Sequence, residues 1–381
     1  MKSMIDTPDI STMIDLLKQL VQLESPSHEK EAVDLLGGFL QEKCRAMGGE
    51  IIVHPQDQTG NHIEARFFQN HNYGGNKTNI LLLCHMDTVF PPGTVSKFPF
   101  RAEGDKLFGP AVADMKGGIV VTLAALAAVI QSGLDACPVT VLFTSDEEIG
   151  STTSRALIEK LAQESCLVLV LEPGMADGAV KTWRKGVGEF SVMIKGRAAH
   201  AGGDHSSGRN AIEEIARQVL AIQAMTDYEK ETTLNVGVIQ GGTASNVVPE
   251  DARIEVDMRV MQPGEAERIT AAMYALKPSM EGTTISISGG LNRPPMPHTP
   301  AIQATYEKVQ EIAGRIGIQL THSGTGGASD ANFVAPLGIP VLCGMGPAGG
   351  GYHSEREFIV RDSLVERARL LAAILTEWRP G

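Results

Sequence analysis

The sequence predicts a doubly wound α/β domain that is interrupted by an inserted ferredoxin-like domain. Apolar strand segments alternate with helical segments over about the first 180 residues, which is typical of a parallel sheet covered by helices. Residues 183–292 instead contain strands in which apolar and polar side chains alternate. The first pattern then returns, so we assign residues 1–182 and 293–381 to one domain. A chain of 381 residues is also longer than one hydrophobic core usually supports.

The first domain opens with two helices. Apolar residues recur at helical spacing over residues 10–21, and a second helix is predicted to start after Ser27, an N-cap residue. The apolar run Asn79–His85 is typical of a strand buried on both faces. An Ala-rich helix is predicted over residues 119–131. Further strands are predicted at residues 50–53, 61–67, 139–143, 167–171 and 339–342.

The insert has the order β-α-β-β-α-β, which is the ferredoxin-like arrangement. Its strands are predicted at residues 187–194, 234–239, 252–260 and 284–288, and its helices at residues 209–225 and 265–275. Apolar and charged residues alternate strictly over residues 252–260. Such alternation predicts a strand with one covered face.

The composition limits the classes of partner. A net charge of −12 and a pI near 5.4 argue against nucleic acid and anionic membranes. No segment approaches the roughly 20 apolar residues of a membrane span, and the start of the chain lacks the features of a signal peptide. The five cysteines are odd in number and unclustered, which indicates thiols in a reducing compartment. We therefore expect a cytoplasmic protein that binds neither nucleic acid nor membrane.

Side chains that bind metals follow the carboxyl ends of four predicted strands. His85 ends one strand, Glu148 and Glu172 follow two others, and His353 follows a Gly-rich loop after the fourth. Asp114 lies in a Gly-flanked turn before the Ala-rich helix. One acidic residue after a strand is ordinary helix-cap chemistry. Because open α/β sheets bind ligands at this edge, the whole set predicts a metal site.

The ligand types and their number constrain the ions. Imidazole and carboxylate without thiolate suit zinc, manganese or cobalt rather than calcium or iron–sulfur clusters. Five protein ligands exceed the three or so that one catalytic zinc keeps, so two ions sharing a carboxylate and a bridging hydroxide fit better. Glu147 is not needed as a ligand and is left as a general base. Asp87 is placed to accept the second ring N–H of His85.

Four motifs resemble those of the di-zinc aminoacylase and glutamate carboxypeptidase family. They are His85-x-Asp87, Gly109-Pro110-x-x-x-Asp114-x-Lys116-Gly117-Gly118, Asp146-Glu147-Glu148-x-Gly150 and Tyr352-His353-Ser354. The resemblance covers essentially the whole chain and implies two Zn²⁺ per chain, with Co²⁺ or Mn²⁺ able to substitute. It implies a bridging Asp114, which would share one ion with His85 and Glu172 and the other with Glu148 and His353. A cis Asp114–Met115 peptide is also implied.

The resemblance assigns further residues to the substrate and to a partner subunit. His200 resembles a histidine that reaches into the active site of the partner in a homodimer and stabilises the oxyanion. Arg259 resembles an arginine that binds a substrate carboxylate, and Asn246 and Gly327 resemble substrate-contacting residues. Without the resemblance, His200 is better interpreted as a loop histidine, Asn246 as a turn former and Arg259 as a solvated strand charge.

The predicted function is a two-zinc amidohydrolase that cleaves an amide bond next to a free α-carboxylate, as a glutamate carboxypeptidase does. Its substrate would be a small peptide or an N-acyl amino acid. Glu172 at its position resembles the carboxypeptidase and deacylase branch more than the dipeptidase branch. One alternative is an N-acyl-amino-acid deacylase similar to acetylornithine deacetylase, and a more remote one is a non-catalytic binding protein of the same fold.

Overall fold

The structure, a computed structural model, describes residues 5–69 and 79–379. Its backbone separates into two compact units. Unit 1 comprises Met1–Trp183, His298–Gly324 and Ser329–Gly381, and unit 2 comprises Arg184–Pro297 and Thr325–Ala328. The second boundary therefore lies at 297/298, whereas the sequence analysis placed it at 292/293.

Unit 2 extends past the predicted boundary because backbone pairing continues there. Its last strand runs to Arg293, and the backbones of Met296 and Arg184 exchange two hydrogen bonds of 2.9 and 3.0 Å. The short segment Thr325–Ala328 also belongs to this unit, since Nη1 of Arg184 donates to the carbonyl oxygen of Gly327 (3.0 Å). A Gly-rich segment whose only apolar residue is Ala328 gives no sequence pattern that assigns it to either unit.

Unit 1 begins with alternating helices and strands. The helices are α1 Ile10–Gln22, α2 Lys30–Ala46, α3 Thr94–Lys97, α4 Gly117–Ser132 and α5 Arg155–Gln163. The strands are β1 Glu50–His54, β2 His62–Phe67, β3 Asn79–His85, β4 Arg101–Glu103, β5 Lys106–Phe108, β6 Val139–Thr144, β7 Ser165–Val170 and β8 Val180–Arg184.

Unit 2 has the predicted β-α-β-β-α-β order. Its elements are β9 Gly186–Lys195, β10 Ala199–His200, α6 Ala211–Gln223, β11 Thr233–Gly241, β12 Val247–Val248, β13 Asp251–Val260, α7 Pro263–Tyr274 and β14 Thr284–Arg293. An antiparallel sheet of order β11-β13-β9-β14 buries alternate side chains against both helices. The ferredoxin-like prediction is confirmed.

The chain then returns to unit 1 and completes its sheet. The remaining elements are α8 Pro300–Arg315, β15 His322–Thr325, α9 Ala331–Val334, β16 Val341–Leu342, β17 Gly349–Gly350, β18 Phe358–Val360 and α10 Ser363–Glu377. The central sheet has the order β1-β2-β6-β3-β7-β16, in which β6, β3, β7 and β16 are parallel and β1 and β2 are antiparallel. The doubly wound α/β prediction is confirmed, with an antiparallel edge added.

The sequence predicts no segment long and apolar enough to cross a membrane, but one segment of unit 1 is. The 21 residues Val112–Ser132 meet that test by length and composition alone. However, 78% of an 18-residue stretch of this segment is buried inside the protein, and α4 packs against α1 and α10. A helix that is apolar on all sides is also what the core of a large domain requires.

The second helix begins later than predicted. Glu29 occupies the N-cap position of α2, whereas the sequence analysis gave that role to Ser27. The Ser27 hydroxyl instead donates to the Asp87 carboxylate at 2.8 Å. A polar residue expected to cap a helix therefore supports a residue of the predicted site.

Candidate metal centre

Three of the predicted ligands come from neighbouring parallel strands. His85 is the last residue of β3, Glu148 lies in the short turn Glu147–Ile149 that follows β6, and Glu172 lies two residues beyond β7. Because β3 lies between β6 and β7 in the sheet, these three side chains meet at its carboxyl edge, where open α/β sheets bind ligands.

Asp114 reaches the same edge from the segment that precedes α4. The Asp114–Met115 peptide is cis, as the resemblance implies. At the start of α4, Gly118 lies so close to the carbonyl oxygen of Leu171 that an added Cβ would collide with it. This close approach holds the Asp114 turn beside the segment that carries Glu172.

His353 comes from the loop between β17 and β18. Its backbone φ is 59°, in the left-handed region that non-glycine residues seldom adopt and that is enriched at functional sites. Its side chain is about half exposed, whereas the His85 side chain is buried.

The Asp114 carboxylate lies between two groups of ligands. Its Oδ1 is 3.0 Å from His85 Nε2, which is itself 3.3 Å from Glu172 Oε1. Its Oδ2 is 3.2 Å from His353 Nε2, which is 3.5 Å from Glu148 Oε2. Ligand atoms of His85, Asp114 and Glu148 all lie within 4.8 Å of one another. The structure thus brings together all five predicted ligands, with one oxygen of Asp114 facing each group.

The electrostatics of the cluster are those of crowded carboxylates. Burial raises the pKa of Glu148 well above its usual range, and the charge of Asp114 raises it further. Burial also opposes ionisation of Asp114, but hydrogen bonds from His353 and His85 hold its pKa well below the usual range. Burial lowers the pKa of His85, yet the surrounding carboxylates outweigh it and raise that pKa well above the ordinary value. The hydrogen bond to Asp114 likewise raises the pKa of His353.

The donor set fits divalent cations. Oε1 of Glu148 is buried and has no hydrogen-bond partner among the described residues, so it is an oxygen that an ion would satisfy. Two imidazoles and three carboxylates without thiolate are the ligand types that zinc, manganese and cobalt accept. A cation would also balance the negative charge that raises the pKa of Glu148.

The role predicted for Asp87 differs in detail. Nδ1 of His85 lies 3.0 Å from the backbone carbonyl oxygen of Asp87, whereas the Asp87 carboxylate is 3.6 Å away. The ring is therefore oriented mainly by the backbone of Asp87. The carboxylate instead accepts the backbone N–H groups of Glu147 and Glu148, both at 3.2 Å. Asp87 thus holds the turn that carries the predicted base.

Glu147 directly precedes the predicted ligand Glu148 and is not one of the five predicted ligands. Its charge is among the causes, after burial and direct hydrogen bonds, that raise the pKa of both His85 and His353. Its charge therefore acts on a histidine of each half of the cluster, which agrees with the role of general base predicted for it.

Glu357 is a residue of the site that the sequence analysis missed. Its Oε1 accepts the backbone N–H groups of Ala113 (2.8 Å) and Asp114 (3.0 Å), and its side chain is fully buried. Burial, together with the charge of Asp114, raises its pKa to about 8. It follows His353 by four positions, and that spacing within one loop is the only sequence signal that points to it.

Two of the remaining predicted residues lie together in unit 2. His200 in β10 pairs with Val247 in β12, and the backbone oxygen of Asn246 accepts the N–H of Ala201 (2.9 Å). Both side chains are exposed. Nδ1 of His200 accepts the N–H groups of Gly202 and Gly203 at 3.1 and 2.9 Å. The neutral ring therefore carries its hydrogen on Nε2.

Arg259 and Gly327 also lie in unit 2. The Arg259 guanidinium binds the carboxylate of Asp257 through Nε (2.9 Å) and Nη2 (2.8 Å), and its Nη1 donates to the carbonyl oxygen of Gly326 (3.4 Å). Gly327 is exposed, and its N–H donates to Thr325 Oγ1 (3.3 Å). The acidic partner of Arg259 was not predicted from the sequence, although Asp257 lies on the same face of β13.

The sequence and the fold are similar to those of known hydrolases. The chain matches the model of "Peptidase family M20/M25/M40" over residues 81–377. It is 31% identical over 377 residues to carboxypeptidase G2 of a Pseudomonas species. The match covers 97% of this chain and 89% of the relative. Aminopeptidase PepT of Bacillus cereus superposes with a TM-score of 0.81 at 21% identity, covering 98% and 99% of the two chains. The YXEP protein of Bacillus subtilis, described as a dinuclear metal-binding peptidase, has a TM-score of 0.65 at 16% identity, covering 97% and 99%.

These observations define a hydrolytic metallopeptidase. The chain belongs to peptidase family M20/M25/M40, so the predicted family and enzyme class are confirmed. The non-catalytic alternative does not agree with this assignment.

Proposed function

We propose that this protein is a two-zinc amidohydrolase that cleaves an amide bond next to a free α-carboxylate, as a glutamate carboxypeptidase does. One observation carries the proposal: the Asp114 carboxylate offers one oxygen to the His85 and Glu172 group and the other to the His353 and Glu148 group. A carboxylate between two such groups is the arrangement expected of a ligand shared by two ions.

The bound ions would supply a Lewis acid for the amide carbonyl and lower the pKa of a bound water. Glu147 takes the proton from the attacking water and delivers it to the leaving amine nitrogen. Nε2–H of His200 donates to the developing oxyanion, and in this proposal His200 comes from the partner subunit. Arg259 binds the substrate α-carboxylate, and Asn246 and Gly327 contact the substrate.

The 31% identity to carboxypeptidase G2 supports the carboxypeptidase reaction. An N-acyl-amino-acid deacylase remains the second candidate, because it also cleaves an amide beside an α-carboxylate and needs the same residues. We propose small peptides or N-acyl amino acids as substrates, with no role for nucleic acid or membranes. All five cysteines are thiols, and four are buried, which supports our proposal of a cytoplasmic location.

Removing the metal tests this function. Chelation should abolish hydrolysis, and added Zn²⁺, Co²⁺ or Mn²⁺ should restore it, with about two ions bound per chain. Initial rates on N-acyl glutamates, other N-acyl amino acids and dipeptides then separate the carboxypeptidase from the deacylase. The matched control is the same amide with its α-carboxylate converted to an amide. Full turnover by a metal-free preparation, or equal rates on the control compounds, would contradict the proposal.

A further inference from the structure

We propose that His62 and Thr153 are positioning residues for the catalytic base, and that they act through Asp146, the residue directly before Glu147. This inference rests on the proposed function, because it takes Glu147 as the base. Neither residue belongs to the metal cluster. Thr153 contacts Asp146, which precedes the turn Glu147–Ile149, and His62 contacts Thr153.

Asp146 connects the start of the Glu147 turn to the segment that follows it, residues 151–154. Its Oδ2 accepts the backbone N–H of Thr153 (2.7 Å), the Thr153 hydroxyl (2.8 Å) and the N–H of Ser154 (3.3 Å). Its backbone oxygen accepts the N–H of Ser151 (2.7 Å). Asp146 is fully buried, so these hydrogen bonds are not exchanged for water and they set the direction in which the next residue leaves the strand.

His62 extends this arrangement by one more hydrogen bond. At the start of β2, its Nε2 lies 3.0 Å from Thr153 Oγ1. The hydroxyl has a single hydrogen, which goes to the Asp146 carboxylate because that group only accepts. Thr153 Oγ1 must therefore accept, and Nε2 of His62 must carry the hydrogen. The chain of donors thus runs in one direction, from His62 through Thr153 to Asp146.

The other side of the His62 ring agrees with this direction. Nδ1 faces the backbone N–H of Ser145 (3.3 Å), so it accepts. The Ser145 hydroxyl lies 3.0 Å from Nδ1 and also close to the carbonyl oxygen of Gly60, so its single hydrogen is shared between these two acceptors. His62 is fully buried, and this burial lowers its pKa. A neutral ring with its hydrogen on Nε2 satisfies both sides.

The Glu147 turn is therefore held from two directions. Asp87 accepts its backbone N–H groups on the side of the metal ligands, and Asp146 fixes its start on the side of His62. Displacing a catalytic group by about 1 Å costs roughly 10²-fold in rate. We therefore expect the loss of the second support to lower kcat while metal is still bound, because the N–H of Glu148 keeps its hydrogen bond to Asp87.

Thr153→Val tests the inference, because it keeps the shape of the side chain and removes only the hydroxyl. We expect kcat to fall about tenfold or more, with KM changed less than about twofold and metal content unchanged. Thr153→Ser keeps the hydroxyl and should stay within about threefold of the wild type. His62→Leu should resemble Thr153→Val, whereas His62→Gln keeps a donor and should lose less. Thr140→Val, at a buried threonine of β6 remote from the turn, is the control for a loss of fold stability.

A double-mutant cycle separates positioning from general structural support. If Thr153 acts through Glu147, then Thr153→Val should cost nothing further in a Glu147→Gln background. Independent, multiplying losses would contradict the inference, as would a Thr153→Val enzyme that behaves like Thr140→Val. Full activity of Glu147→Gln alone would instead contradict the proposed function. Thermal unfolding midpoints of all variants are measured first and set an assay temperature at which each variant is folded. If Thr153→Val is unstable, then His62→Leu and His62→Gln give the same comparison of a variant without the donor and one that keeps it.

Discussion

At the residue scale, Glu147 and Glu148 are neighbours with identical side chains and different surroundings. Glu148 lies 3.5 Å from His353 and has a buried oxygen with no hydrogen-bond partner in the described part of the chain. Glu147 contributes its backbone N–H to Asp87 and its charge to both histidines. The first environment suits a ligand and the second suits a base.

Substituting each glutamate by glutamine tests this division of roles. Glu147→Gln keeps the size of the side chain and removes its basicity, so the rate should fall by about 10²-fold or more with about two ions still bound. Glu148→Gln should lose metal as well as rate. Metal analysis beside initial rates makes the comparison. Equal metal content in the two variants would show that the roles are wrongly assigned.

Arg259 allows a second prediction at this scale. Asp257 binds the Nε and Nη2 edge of its guanidinium and so fixes its orientation. A guanidinium binds a carboxylate through two parallel hydrogen bonds, which a lysine does not reproduce. Arg259→Lys should therefore lower kcat/KM by about 2–4 kcal/mol equivalent on an N-acyl amino acid.

The matched substrate is the C-terminal amide of the same compound, on which the wild type lacks the same contact. The loss from Arg259→Lys should largely vanish there. Equal fractional losses on both substrates would show that Arg259 supports the structure and does not bind the carboxylate.

The sequence predicts side chains better than it predicts backbone contacts. Apolar strands that end in His or carboxylate residues suffice to bring His85, Glu148 and Glu172 to one edge of the sheet. The contact of Glu357 with the backbone of Asp114 joins distant segments through N–H groups, which leave no mark on residue type. For the same reason, the carbonyl oxygen of Asp87, rather than its carboxylate, was found beside His85.

At the element scale, Glu265 joins the start of α7 to the connection before β11. Its carboxylate accepts hydrogen bonds from Arg268 (2.6 Å), Thr232 (3.1 Å) and Lys230 (3.3 Å). The hydrogen bond from Arg268 is the largest cause that lowers the pKa of Glu265 from 4.5 to about 2. The folded state therefore favours the ionised carboxylate.

This lowered pKa predicts how stability depends on pH. Because the folded pKa lies below the unfolded one, the contribution of Glu265 is complete above about pH 4.5 and is lost as the pH falls towards about 2. Glu265→Gln should be less stable than the wild type at pH 7, and the two should converge on acidification. Urea unfolding of both proteins across this range makes the measurement. A gap that stayed constant would show that the charge of Glu265 has no part in it.

The boundaries of the elements were predicted less well than their type and order. β14 runs to Arg293 rather than to residue 288, because Gly289 and Gly290 pair with β9 although they lack apolar side chains. Conversely, the apolar run at residues 339–342 forms only the short strand Val341–Leu342. Hydrogen bonding to a neighbouring strand decides where a strand ends, and that neighbour is remote in the sequence.

At the scale of the whole molecule, unit 2 presents apolar side chains that its own core does not cover. Ile212 and Leu220 of α6 and Val238 and Ile239 of the edge strand β11 are exposed by 41%, 73%, 44% and 57%. Exposed apolar residues on one helix and on an adjacent sheet edge are suited to an interface between protein chains. They support the proposal that the protein is a homodimer formed through unit 2.

The homodimer proposal gives His200 a role that a mixing experiment tests. The N–H groups of Gly202 and Gly203 occupy its Nδ1, so Nε2–H is the donor available for an oxyanion. His200→Ala should therefore lower the rate with little loss of metal.

If His200 acts in the partner's site, then mixing inactive His200→Ala with inactive Glu147→Gln should restore about a quarter of wild-type activity at random exchange. Half of the dimers are then hybrids, and one site in each hybrid has both residues intact. The absence of any recovery, with subunit exchange verified by differently tagged chains, would show that His200 acts within its own subunit or takes no part in catalysis.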